Sequence, residues 1–412
     1  MPVRGSVIVL VFFTTLLAET RPDGSTDLHW ASYRNDFTAV EALLRAGADV
    51  DAATDLGVTP LWAASQNGSA QIVRVLLEAG ADPDVALLAG ETPLMVAARS
   101  GYPEVVAILA KAGAAVDKRA ARGQTALMWA ASQKHPTVVK VLLAQGANIH
   151  SRSDAWKQVM AVPPHGYLEY NRAIPHGGNT ALMFAARVGD LESAKLLIEF
   201  GANVDDANAW GVSATVMAAH SGFRAIVEFL LMKGADPNLA EAGFTALHAA
   251  VMHRDQAMVR SLLAHGADAN APIKTWTPTR RSSKDFHFPP ELIGATPFWL
   301  AARFTQPAVM RLLAAHGADP MFVHHVEYAK GSSWQRRVDK TTALMAATGM
   351  GGGKAWVQPA DSASLMLESV KLAVELGHDV DAKNTNGRTA LSSAEASGND
   401  AVVAFLIRQG AN

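Results

Sequence analysis

Residues 90–122 read "GETPLMVAARSGYPEVVAILAKAGAAVDKRAAR", and their punctuation decides the fold. Thr92 is suited to cap a helix, and Pro93 stands at the first helical position, where a missing N–H costs nothing. Leu94, Ala97 and Ala98 then share one face at helical spacing, and Gly101 ends this short helix. Val105, Val106, Ile108 and Leu109 make a second amphipathic helix, closed by Gly113 in the left-handed position. The remaining "AAVDKRAARG" is polar and glycine-ended, the character of a turn. The unit is helix, turn, helix and protruding loop. Neither helix hides its apolar face alone, so units of this kind must stack.

The same sentence recurs. A glycine follows the apolar second helix at Gly47, Gly80, Gly113, Gly146, Gly201, Gly234, Gly266, Gly317, Gly377 and Gly410. Several of these spacings are 33 residues, one is 32, and the others are longer by an insertion. A fixed period in this range predicts an all-α solenoid of about ten helix-turn-helix units. The first-helix motif appears as "TPLWAA" from Thr59, "TPLMVA" from Thr92, "TALMWA" from Thr125, "TALMFA" from Thr180 and "TALHAA" from Thr245. It returns as "TPFWLA" from Thr296, "TALMAA" from Thr342 and "TALSSA" from Thr389, with degenerate copies at Thr26 and Ser213. With the closing "GADVD", "GADPN" and "GADAN", these motifs make the chain resemble an ankyrin repeat protein from about residue 24 to the end. The motif histidine survives only at His29 and His248; methionine replaces it at Met95, Met128, Met183 and Met345, which are read as core.

Four stretches break the period: 151–178, 271–294, 320–340 and 349–363. The first three fall in the loop before the next threonine cap, as extended fingers; the fourth separates the two helices of the ninth unit. Insertions there cost little closure entropy. They are rich in aromatic residues: Trp156, Tyr167 and Tyr170, then Trp276, Phe286 and Phe288, then Tyr328 and Trp334. Arg280, Arg281, Lys284, Arg336 and Arg337 lie beside them. Aromatic residues and arginine dominate interface energetics, so these fingers either bind a partner or pad the surface they fold back on.

The resemblance also implies where a partner would touch: the ends of the first helices and the finger tips. Carried over by position, these are Tyr33, Gln66, Arg99, Ser132, Arg187, His220, Met252 and Arg303, with Arg122, Trp210 and Phe244 at the tips. Arginine forks onto carboxylates, so an acidic protein or peptide is the expected partner. The resulting expectation is a non-enzymatic protein-binding scaffold; the alternative is a protein binding a small ligand or carbohydrate through the inserted loops.

Composition narrows the rest. A formal charge of −2 over 412 residues gives no reason to expect nucleic acid as a bulk partner. The absence of cysteine excludes disulfides and thiolate chemistry. Arg4 followed by an apolar run from Val7 to Ala18 has the build of a secretory signal over residues 1–23, predicting export to a periplasm or exterior; an N-terminal capping helix is the alternative. That run is too short for a comfortable membrane span. "TGMGGGKAW", residues 348–356, fails as a phosphate loop because Thr348 stands where a glycine is required and Ala355 follows Lys354. It reads as a hinge. No spacing marks a metal site, a catalytic set or a cofactor, and the sequence leaves the oligomeric state open.

Overall fold

The computed structural model describes residues 21–161, 171–277, 287–330 and 335–412. The signal-like run up to residue 20, and the insert residues Tyr167, Tyr170, Phe286 and Trp334, lie outside these described residues. So do Arg280, Arg281 and Lys284. Among the described residues no helix is long and apolar enough to cross a membrane.

By its internal contacts the chain divides into two units, 1–121 and 122–412. The first holds three helix pairs: α1 (Asp27–Tyr33) and α2 (Phe37–Arg45), α3 (Pro60–Gln66) and α4 (Ala70–Glu78), α5 (Pro93–Ser100) and α6 (Pro103–Lys111). The second opens with α7 (Ala126–Ser132) and α8 (Pro136–Ala144), then a hairpin of β1 (Ala155–Ala161) and β2 (Asn171–Gly177). Pairs follow as α9 (Ala181–Val188) and α10 (Leu191–Glu199), α11 (Ala214–His220) and α12 (Arg224–Met232), α13 (Ala246–Met252) and α14 (Gln256–Ala264), α15 (Pro297–Arg303) and α16 (Pro307–Ala315). A second hairpin, β3 (His324–Lys330) and β4 (Gln335–Thr341), precedes α17 (Ala343–Ala347) and α18 (Ser362–Glu375); α19 (Ala390–Ala396) and α20 (Asp400–Arg408) close the unit. The solenoid is all-α in its repeats.

Most first helices start as their sequence dictates; at α9 the Thr180 side chain makes no cap bond. The threonine hydroxyl accepts the amide three residues on, as Thr59 does from Trp62 at 3.2 Å and Thr92 from Met95 at 3.2 Å. Where histidine survives, it joins the cap. His248 Nδ1 accepts the Thr245 amide at 3.0 Å, so its Nε2–H donates to the Ala271 carbonyl at 2.9 Å. His29 does the same with the Thr26 amide and the Val58 carbonyl. Met95, Met128, Met183 and Met345 fill the equivalent space without polar bonds, each at most 2% exposed.

The "GADxN" ending has a physical job. Its last side chain accepts the amide of the following finger: Asp51 from Asp82 at 3.0 Å, Asp205 from Asp236 at 2.9 Å, Asn238 from Asp268 at 2.7 Å and Asn270 from Asp319 at 2.7 Å. Successive fingers are thereby laddered within each unit.

The inserts differ from the loops expected. Two are antiparallel hairpins, with Trp156 opposite His176 in one and Tyr328 opposite Arg337 in the other. In the second the cause is a period of two: His324, Val326 and Tyr328 are buried while His325 and Glu327 are exposed. The hairpin lies on α15, where buried Trp299 donates through Nε1 to the Thr341 carbonyl at 3.2 Å and meets the His324 ring at 4.2 Å.

Candidate functional site

The first helices of the second unit are not an open strip, because the inserts fold onto them. Trp356, from the insert between α17 and α18, donates to the His287 carbonyl at 2.9 Å. Its ring meets His220 at the end of α11, His253 just past α13, and Phe288, each at 5.0–5.1 Å. Phe288 in turn meets Phe244 at 4.9 Å. Five expected contact residues are therefore corrected: Phe244, Met252, Trp276, Phe288 and Tyr328 are buried, between 0% and 7% exposed. The physical reason is area. A projecting aromatic gains more by covering a neighbouring apolar helix than by standing in water. Trp210 is half-buried for the same reason, packed on the cluster of Ile174 and Trp276.

The other expected residues lie apart. Arg122 is exposed and sits 5.3 Å from the Trp156 ring, which is itself stacked on His176. Arg187 is exposed over Phe184, and Ser132 donates to the Trp129 carbonyl. Arg99 is engaged by Glu91 at 2.5 Å. Arg303 is largely buried, its Nη2 3.4 Å from the Gly353 carbonyl, and burial pulls its guanidinium down to about 10. It is still a cation at neutral pH.

Tyr33 and Gln66 are brought together. In the first unit they line an open cavity of about 620 Å³ with Trp30, Trp62, Leu56 and Val58. Tyr33 is 52% exposed and Leu56 66% exposed, so apolar surface faces water here rather than an insert. Trp30 is held edge-on to Tyr33 and bonds through Nε1 to Ser25. The indole N–H of Trp62 is buried with no hydrogen-bond partner, an unmet donor whose burial carries a penalty. Two acidic residues stand at the rim, Asp23 and Asp55. Hydrogen bonds from Ser25 hold the Asp23 carboxyl below its ordinary range, keeping it ionised. Trp30, Leu56 and Trp62 were missed by position-by-position reasoning. The signal that could have found them is tryptophan in the first helices of the first two repeats, ahead of every insert in the sequence.

Among the described residues no group of three or more metal-ligating side chains converges. A chemical site for catalysis is likewise not assembled at the aromatic cavity, whose two carboxylates flank apolar walls.

Comparison with known proteins agrees with this architecture. Profiles described as ankyrin repeats match residues 9–87, 81–153 and 167–241, and again 127–198, and a single ankyrin repeat matches 242–274. An ankyrin repeat-containing protein of Treponema pallidum is 37% identical over 114 residues, 27% of this chain and 38% of that protein. The DNA replication inhibitor plutonium of Drosophila melanogaster is 37% identical over 84 residues, 20% of this chain and 48% of that protein. The chain thus spans less than half the length of either relative. Repeated profile matches over more than half its residues, on a scaffold of capped helix pairs, make this chain a member of the ankyrin repeat family.

Proposed function

We propose that the protein is a non-enzymatic binding module that captures a segment of a partner protein in the aromatic cavity of its first unit. Ankyrin repeats are generally protein-interaction modules, and the observation that carries the reading here is the cavity at Tyr33, Leu56 and Trp62. It has the walls of an anchor pocket: apolar area left in water and rigid rings. A bulky apolar side chain of that segment fills it, against Tyr33, Leu56 and the Trp62 ring. The carboxylates of Asp23 and Asp55 favour a neutral or basic flank beside that anchor, rather than the acidic one expected from the arginines.

Selection from a random peptide library displayed on phage against the immobilised full chain tests this. Enriched peptides are expected to share one large apolar residue and to lose at least tenfold in affinity for Leu56→Asp. Trp62→Phe, which shrinks the aromatic wall from indole to phenyl, is expected to lose several-fold. Peptides that bind Leu56→Asp as well as the unaltered protein would refute the reading.

A further inference from the structure

A second cavity, of about 600 Å³, lies in the other unit between β4, the glycine loop after α17 and the finger before α19. Its chemistry is opposite to the first. Four cations line it: Arg303 from α15, Arg337 from β4, Lys354 from the loop and Arg388 from the finger. Against them stand Glu291 and Asp339, leaving two positive charges in excess. Asp339 is already engaged by the Asn384 amide at 3.1 Å.

The four cations share one condition. No described carboxylate forms an ion pair with any of them, whereas Arg336, next to Arg337 on β4, is matched with Glu327 at 3.0 Å. Arg303 is the extreme case, with its Nε buried and without a hydrogen-bond partner. A desolvated, uncompensated guanidinium is costly, and a bound anion removes that cost. The loop adds donors. Gly351, Gly352 and Gly353 all have φ between +71° and +96°, and among the described residues nothing accepts from their amides. Their glycine identity is enforced by packing, because a Cβ at Gly351 would sit 2.4 Å from the buried Trp299 ring. The loop follows a helix rather than a strand, so it is not the nucleotide-binding phosphate loop.

We infer that this cavity binds a small organic polyanion, its phosphate or carboxylate oxygens met by Arg303, Arg337, Lys354 and Arg388. The volume lies within the range of small-molecule pockets and exceeds what a bare inorganic anion fills. Asn386, also in the lining and exposed, suits the hydroxyl or carbonyl groups of the ligand's body. The site is separate from the peptide pocket and does not depend on it.

Thermal unfolding and calorimetric titration of the full chain with glucose 6-phosphate and with citrate test the inference, with sodium chloride at matched ionic strength as control. At least one of the two is expected to raise Tm by several degrees beyond chloride. Stronger binding of glucose 6-phosphate identifies a phosphomonoester ligand, and stronger binding of citrate a polycarboxylate. The double variant Arg337→Ser/Arg388→Ser changes only exposed side chains; it is expected to keep the unliganded Tm and lose at least tenfold in affinity. Leu56→Asp is expected to bind the anion unchanged, which separates this site from the peptide reading. No stabilisation beyond chloride, or an undiminished response in the double variant, would overturn it.

Discussion

His248 shows how one residue ties sequence to stability. It is buried, caps α13 through Nδ1 and reaches the Ala271 carbonyl through Nε2, an arrangement that requires the neutral ring. Burial lowers its pKa from 6.5 to about 4. Because the folded value lies below the unfolded one, the unfolded chain binds the proton more readily. The stabilisation is fully present above pH 6.5 and is lost as pH falls towards 4, amounting to about 3 kcal/mol in all. His248→Met copies what the chain itself uses at Met95, Met128, Met183 and Met345. Urea unfolding at pH 7 and pH 4.5 is expected to show a pH loss about 2–3 kcal/mol smaller in the variant. An equal loss in both proteins would exclude this role. Single residues of this kind were legible in the sequence, since a histidine three places after a threonine cap has a fixed task. Trp62 was not legible, because only the fold shows that its ring lies in a cavity wall while its N–H goes unmatched.

At the scale of elements, the repeat helices could be read almost residue by residue. Caps, prolines and glycines are local signals, and the 33-residue period multiplied them. The inserts could not be read that way. The alternation of His324, Val326 and Tyr328 marks a strand, yet three buried positions in a histidine-rich stretch are a weak signal beside ten repeats. Where the hairpin docks depends on Trp299, some 25 residues before it, and no local pattern carries that pairing. The finger ladder was visible as a motif but not as a bond. Asn270→Ala removes the acceptor for the Asp319 amide and the donor to the Gly317 carbonyl, at a cost of about 1–2 kcal/mol. Hydrogen exchange is expected to speed at Asp319 and remain unchanged at Asp236, which Asp205 holds. Unaltered exchange at Asp319 would show that the ladder is geometric rather than energetic.

Across the molecule, the same repeat is put to two uses. In the second unit, inserts seat Trp356, Phe288 and a hairpin on the first helices, covering surface that an uninterrupted array leaves to partners. In the first unit no described insert residue covers the helix ends, and apolar surface stays open at Tyr33 and Leu56. The sequence placed Tyr33 and the later first-helix ends on one expected strip because it counts positions along a period, whereas burial depends on what folds back over them. The most direct test compares the affinity of one selected peptide for Leu56→Asp and for Trp356→Ala, by calorimetry on the full chain. A loss of at least tenfold is expected with Leu56→Asp and no change with Trp356→Ala. Binding that survives Leu56→Asp but falls with Trp356→Ala would contradict it.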